Sequence, residues 1–339
     1  MDLSRYARQM VFYQIGERGQ RRLADSRVVV AGCGALGSVI SSLVVRAGVG
    51  HVRLIDRDFV ELNNLQRQVL YDEDDVAAGL PKAAAAADKL KRVNSEIEIE
   101  GIVADLNSSN AERLLSGFDV VLDAIDNFEA RYLINDLCIK TRTPWIYGAV
   151  IGSYGVTMNI FPGETACLRC LFPTPPAPGT VETCDTAGIL GSTVNTIASL
   201  QVTEAIKMLI GADSDVSSGL LQVDVWDGEM QRTAVPRQAN CPACIAHDFA
   251  YLNAARTSRT TSLCGREALQ IVMPGDQQLN LPELAARLRN SGEVSENPFM
   301  LRFKVDSYEL NIFADARAII KGTTDETIAR SLYAKYVGL

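Results

Sequence analysis

The sequence predicts an α/β protein: a doubly wound, mostly parallel sheet, a cysteine-bearing second half and a small α+β appendage. Three observations carry this. A short apolar run, Val28–Ala31, leads directly into a glycine turn, Gly32-Cys33-Gly34-Ala35-Leu36-Gly37, and then into an apolar helical pattern. Further apolar runs alternate with helical stretches as far as Val150, the signature of parallel strands joined by helices. From Ser262 the pattern changes to shorter strands and two amphipathic helices. The 339 residues suffice for one large domain, 1–255, and a smaller one, 262–339.

Composition narrows the function. The net charge of −8, with no long basic run, argues against a dedicated nucleic-acid binder. Only His51 and His247 are present, which nearly excludes chemistry built on a histidine base or several histidine ligands. No leader-like segment and no membrane-length apolar run is seen, so a cytoplasmic protein is expected. Eight cysteines in a chain this long point to metal or thiol chemistry rather than a disulfide framework.

Taken in order, the chain opens with an amphipathic, Arg-rich helical lead-in from Ser4 to Ser26, with Arg5 and Arg8 on one face. These are either a solvated basic face or cations delivered to a phosphate of this subunit or a neighbour. Val28–Ala31 is a buried strand, and the glycine spacing after it has a physical reason. Gly32 permits the tight turn, Gly34 lets a phosphate approach the backbone, and Gly37 lets the helix pack close to the sheet. The second strand, Val52–Ile55, ends in Asp56, where a ribose-binding acid belongs in a Rossmann-like unit. The bland alternative is a tight turn with no ligand. Asn63–Gln68 is a polar, irregular stretch that topology places over the carboxyl ends of the strands, and Arg67 offers a fork suited to phosphate oxygens. Lys82, after Gly79-Leu80-Pro81, falls in the first turn of an Ala-rich helix, where a cation is disfavoured unless an anion is near. Either alone reads as a surface charge; together they suggest a triphosphate rather than a dinucleotide.

Ile97–Val103 is the third strand, Asn107–Gly117 a helix, and Phe118–Ala124 another buried strand. That strand delivers Asp126, which could hold Mg²⁺ on nucleotide phosphates or cap the helix Glu129–Lys140. Trp145–Val150 is one more strand, and Ser153–Phe161 its antiparallel extension. A Pro-rich crossing segment, Phe172–Thr183, delivers Cys184, and a long apolar helix follows to Gly211, a core and dimer-contact element. Leu220–Asp227 is a strand. The appendage reads as β-α-β-β-α.

Two C-x-x-C pairs, Cys167/Cys170 and Cys241/Cys244, fit a closed four-thiolate zinc site, which would staple the second half structurally. Redox pairs or two unrelated pairs are the alternatives, but neither pair opens a helix after a strand as a redox motif does. His247 is surplus to four sulfurs.

These pieces together resemble the ThiF/MoeB/HesA group of ubiquitin-activating-enzyme-like adenylyltransferases. The matching residues are Arg5–Gln9, Gly32–Gly37, Asn64–Gln68, Gly79–Lys82, Asp123–Asn127, both C-x-x-C pairs, and Cys184 before Ala187-Gly188, covering about residues 4–250. The appendage resembles, much more weakly, the extra C-terminal domain of longer ThiF-like proteins. The resemblance implies ATP-dependent adenylation of the C-terminal Gly-Gly carboxylate of a small β-grasp sulfur-carrier protein. Pyrophosphate is released, and the pathway is thiamine-thiazole or molybdopterin biosynthesis. It implies that Asp56 binds ribose, that Asn64, Arg67 and Lys82 contact the triphosphate, and that Asp126 supports Mg²⁺ and the α-phosphate. It implies a homodimer in which Arg8 reaches the partner's nucleotide; a sulfur donor, if one is used, is a separate protein. Cys184 matches a cysteine that forms a covalent adduct in some relatives and is dispensable in others. Two other classes are weighed beside this: a nicotinamide-dependent dehydrogenase, which leaves Arg67, Lys82 and the cysteines unexplained, and a non-catalytic nucleotide-binding adaptor for a ubiquitin-like partner.

Overall fold

Strand β1, Arg27–Ala31, is buried on both faces after its first residue, as a central parallel strand of valines must be. The structure, a computed structural model, describes residues 2–175, 187–253, 260–262, 268–272 and 278–337. The chain forms two compact units, Met1–Thr257 and Ser258–Leu339.

In the first unit, α1 (Ala7–Met10) and α2 (Gly16–Asp25) precede β1. Helix α3 (Ala35–Ala47), β2 (His51–Asp56), α4 (Glu73–Ala77), α5 (Lys82–Val93) and β3 (Glu98–Val103) follow. Then come α6 (Ala111–Leu115), β4 (Val120–Asp123), α7 (Phe128–Thr141), β5 (Trp145–Ile151) and β6 (Tyr154–Ile160). Helices α8 (Leu168–Leu171) and α9 (Gly191–Ile210) and the strands β7 (Leu220–Asp224) and β8 (Glu229–Thr233) complete it. The sheet order is β3-β2-β1-β4-β5-β6-β7-β8. The first five strands are parallel and the last three antiparallel. The order reverses between β1 and β4, so a crevice opens at their carboxyl ends, where such sheets bind ligands.

The two faces of the sheet carry separate apolar layers. Val28 and Val30 of β1 face a layer with Ile40 and Val44 of α3, Leu90 of α5 and Ile197 of α9. Val29 and Ala31 face the other, with Leu114 of α6, Leu133 and Leu137 of α7 and all four cysteines of the C-x-x-C pairs. Each fully buried Leu, Ile or Val is worth roughly 1.5–3 kcal/mol over exposure, so the two layers dominate the unit's stability.

In the second unit, β9 (Thr260–Ser262), β10 (Ala268–Ile271), α10 (Leu281–Leu288), β11 (Glu293–Asn297), β12 (Met300–Val305), β13 (Tyr308–Phe313), β14 (Ala318–Lys321) and α11 (Glu326–Tyr336) build an antiparallel sheet. Its order is β11-β12-β13-β14-β10-β9. Leu284 and Leu288 of α10 and Tyr333 of α11 pack on Leu301, Phe303, Leu310 and Ile320.

Several elements differ from the expectation. The lead-in is broken where the amides of Ile15 and Gly16 both donate to the Phe12 carbonyl, separating α1 from α2. The helix expected over 107–117 is only α6, because the Asn107 side chain accepts from the amide and hydroxyl of Ser109 and forms a local turn instead. Strands β8, β9 and β11 lie where the sequence predicts none, and the last strand of the expected β-α-β-β-α appendage is two strands, β13 and β14.

Candidate functional site

The glycine turn is held in place before any ligand arrives. Gly32 has φ +97°, and a Cβ there would lie 2.4 Å from the Ala124 carbonyl oxygen. A Cβ on Gly37 would lie 1.9 Å from the Gly32 carbonyl oxygen, so α3 can start against the turn only through glycine. Gly34 is different: a Cβ there would meet only Gln68 Nε2, at 3.9 Å. The fold does not forbid a side chain at Gly34, and the space beside it is open to a ligand approaching the start of α3.

Asp56 closes this turn. The Cys33 amide donates to its Oδ2 at 2.6 Å, and the Asp58 amide to its Oδ1 at 2.7 Å. Burial pushes the Asp56 carboxyl above its ordinary value, against the pull of Lys82. The Tyr71 hydroxyl donates to the Cys33 carbonyl at 2.7 Å. Lys82 is only 4 % exposed, and its ammonium lies 3.6 Å from Asp58 Oδ2. A buried ammonium requires such a partner, and a phosphate would add a second. Asn64 and Gln68 are buried, and Asn64 Oδ1 and Gln68 Oε1 have no hydrogen-bond partner among the described residues. Buried acceptors left so are rare, and a nucleotide hydroxyl or amine would satisfy them. Arg67 donates from Nη1 to the Asn63 carbonyl at 2.8 Å.

Asp126 lies on the other rim, exposed, between β4 and α7. It is not the helix cap: Asn127 is, its Oδ1 accepting from the Ala130 amide at 2.9 Å. The carboxylate is thus left for other use. Opposite it, burial works against the Arg57 guanidinium, yet Asp105, Asp58 and Asp126 hold it firmly protonated. Arg57 Nη1 lies 2.7 Å from Asp105 Oδ1. Arg57, Asp58 and Asp105 were not singled out from the sequence; their place just beyond the ends of β2 and β3 was the available signal.

Arg8 is exposed on α1 and is not brought to this crevice. Its neighbour Gln9 donates to the Ala47 carbonyl at 2.9 Å, at the end of α3 remote from the glycine turn. The intervening 13-residue helix is about 20 Å long, beyond the reach of an arginine side chain. Cys184 lies outside the described residues.

The four C-x-x-C sulfurs converge from both ends of a 74-residue separation. Cys167 Sγ lies 3.9 Å from Cys170 Sγ and 3.5 Å from Cys241 Sγ, and Cys170 Sγ lies 3.5 Å from Cys244 Sγ. Tetrahedral zinc with bonds of about 2.3 Å sets its sulfurs about 3.8 Å apart, so these residues fit that ion. All four are buried, and the Gln238 amide donates to Cys170 Sγ at 3.4 Å, a bond that would also orient a metal-bound thiolate. His247 is exposed and stacks on Phe249. Helix α7 anchors this arm: Asn135 Oδ1 accepts from the Leu168 amide at 2.9 Å, and Asp136 Oδ2 from the Tyr251 amide at 3.0 Å.

A doubly wound sheet with a glycine-lined crevice at its switch point, a buried lysine and a four-cysteine arm defines a nucleotide-binding α/β protein with a cysteine cluster that could hold a metal. The sequence pattern of the ThiF family matches residues 6–243, and the chain belongs to that family. It is 42% identical over 337 residues to the sulfur carrier protein ThiS adenylyltransferase of Bacillus subtilis (strain 168), covering 98% of this chain and 99% of that one. It is 39% identical over 242 residues to the SAMP-activating enzyme E1 of Haloferax volcanii, covering 71% and 88% respectively. Among solved structures, E. coli MccB with ATP superposes with a TM-score of 0.62 at 24% identity, over 71% of this chain and 74% of that one, a likeness of fold.

Proposed function

We propose that this protein is the ATP-dependent adenylyltransferase of a small sulfur-carrier protein with a C-terminal Gly-Gly tail. The observation that carries this reading is the end-to-end match, at 42% identity, to a relative named for that activity. That match spans the second unit, whereas the Haloferax relative covers 71% of the chain. This favours the thiamine-thiazole branch over the molybdopterin branch.

The carrier's terminal carboxylate attacks the α-phosphorus of ATP; the bond to the bridging oxygen breaks, and pyrophosphate leaves with that electron pair. The product is an acyl adenylate. The nucleophile is already ionised at neutral pH, so no protein base is needed, which suits a chain with two histidines. The protein must instead bring two anions together and offset the charge that develops. Gly34 admits the phosphates to the start of α3, Asp56 takes the ribose, and Asn64, Arg67 and Lys82 hold the triphosphate. Asp126 is the carboxylate that would hold Mg²⁺, which supplies charge neutralisation at the phosphates when bound. Arg8, too far from its own crevice, serves the nucleotide of a second subunit in a homodimer. Zinc on Cys167, Cys170, Cys241 and Cys244 is structural. The adenylation chemistry belongs to residues 1–255, with 262–339 a separate α+β domain. A cytoplasmic location is in keeping with six cysteines that form no disulfide among the described residues; no helix among them is long and apolar enough to cross a membrane.

The test is ATP–pyrophosphate exchange with MgATP and a panel of Gly-Gly-ended carriers, each beside a copy lacking the last glycine. Exchange with one carrier that vanishes with its truncated copy is expected. ATP binding without exchange for any carrier would leave a nucleotide-binding adaptor. Cys184→Ala keeps exchange and loses any covalent adduct of the carrier, read by intact-mass spectrometry. Loss of exchange in the folded variant would put the thiol in the first step.

A further inference from the structure

Asp126 is exposed and sits on a short loop, so something else must set its direction. Its neighbour Ile125 is held at both of its peptide groups. The Ile125 amide donates to Asp123 Oδ1 at 2.9 Å. The Ile125 carbonyl accepts from Arg131 Nη2 at 2.6 Å. That carbonyl belongs to the peptide unit that carries the amide of Asp126, so Arg131 orients the plane from which Asp126 departs. On the far side Asn127 is fixed as the cap of α7.

The two gripping groups are themselves a buried pair. Arg131 Nε lies 3.3 Å from Asp123 Oδ2, with side-chain exposures of 8% and 0%. Arg131 Nη2 also donates to the Gly148 carbonyl at 3.1 Å, which ties the loop to β5. The guanidinium lies over the Tyr147 ring, 5.3 Å from its centroid. From the opposite layer Gln201 Nε2 donates to the Asp123 carbonyl at 2.9 Å. A buried ion pair is a weak source of stability, since apolar replacements of equal volume do as well. A planar guanidinium whose Nη2 bonds two carbonyls while its Nε faces a carboxylate is a source of geometry, and lysine cannot reproduce it.

We infer that Arg131, with Asp123, is a positioning residue for adenylation: it clamps the Ile125 peptide and thereby aims the Asp126 carboxylate at the phosphates. The inference rests on the assignment of Asp126 above. Neither Arg131 nor Asp123 touches substrate; the pair acts through the loop.

The experiment compares Arg131→Lys, Arg131→Met and the neutralised double variant Asp123→Asn/Arg131→Met with the wild type and with Asp126→Ala. Each full-length protein is assayed by ATP–pyrophosphate exchange with its carrier across a MgCl2 titration, and by melting temperature and zinc content. For the variants that fold, kcat falls by about 10²-fold, the effect of a misplaced reacting group, while KM for the carrier stays within about twofold. The MgCl2 concentration for half-maximal rate rises severalfold, and Arg131→Lys recovers only part of the loss. A merely structural role would lower the melting temperature and leave kcat per folded molecule and the MgCl2 midpoint unchanged. A folded Arg131 variant with wild-type kcat and midpoint overturns the inference, as does failure of all three to fold. Wild-type exchange by Asp126→Ala would instead remove the Asp126 assignment. An inactive Asp126→Ala beside unaffected Arg131 variants would remove the clamp alone.

Discussion

The nucleotide crevice and the cysteine arm are built in opposite ways. Apart from Asn64 Oδ1 and Gln68 Oε1, the crevice is assembled from groups that already satisfy one another: Asp56 holds the amides of Cys33 and Asp58, Tyr71 holds the Cys33 carbonyl, and Lys82 faces Asp58. It stands on β1, β2 and β4, whose burial is secured by the apolar layers of the sheet. The arm sets four buried sulfurs within 4.8 Å of one another, an arrangement that could hold a metal ion. One region is shaped chiefly by packing; the other gathers donors that a single ion could tie together. Chemistry that depends on placing two anions belongs in the first, and a staple belongs in the second.

The widest separation between the two regions comes from Asp126→Ala. Exchange should fall by about 10³-fold or more, with zinc content unchanged at one per chain; loss of zinc would show that the regions are not independent. The converse variant, Cys170→Ser, should release zinc and lower the melting temperature by on the order of 10 °C, while ATP affinity in the folded protein changes by less than about threefold. Atomic absorption and calorimetric titration read both halves of that statement. Within the crevice, Gly34→Ala should weaken ATP binding about tenfold at nearly unchanged stability, since its Cβ meets only Gln68 Nε2. Gly37→Ala should fail as a fold, since its Cβ would strike backbone. Equal effects of the two on melting would break the distinction between a glycine kept for the fold and one kept for the ligand.

The smallest effect tests a polar group away from both regions. Glu204 accepts from Asn159 Nδ2 and from the Ser217 amide, each at 2.7 Å, and pairs with Lys207. Burial raises its carboxyl, but these partners outweigh burial and hold it below the ordinary 4.5. A lowered carboxyl contributes stability above the unfolded value and loses it as pH falls through the folded one. Glu204→Gln should therefore cost about 1–2 kcal/mol at pH 7, and the gap should narrow below about pH 4, as read by urea unfolding at both pH values.

What was legible in the sequence follows from the same contrast. Valines before Gly32, the glycine spacing and Asp56 announce the crevice because burial and close approach leave few alternatives for those residues. The cysteine spacing announces the arm because four soft ligands in two knuckles have few other uses. Strand β8, Glu229–Thr233, escaped notice because all five residues are exposed, so no burial pattern marks it. β11 carries two glutamates and has no buried residue, so it too lacks a burial pattern. Asp126 could be read as cap or ligand, and only the Asn127 side chain bonding the Ala130 amide separates the two. Arg57, Asp105 and Arg131 matter through partners on other strands and loops, which local sequence does not display.

Helix α7 runs for 14 residues, about 21 Å, and its bonds reach both regions. At its start, Arg131 grips the loop of Asp126. Further along, Asn135 and Asp136 hold the backbone beside the cysteines, and the Tyr132 hydroxyl donates at 2.7 Å to the carbonyl of Phe172, where the crossing segment begins. It works as a strut: a rigid spacer fixes the distance between the loop of Asp126 and the backbone at Leu168, Phe172 and Tyr251. The span is a rigid helix bonded at each end, so either end can be altered locally while the other keeps its place.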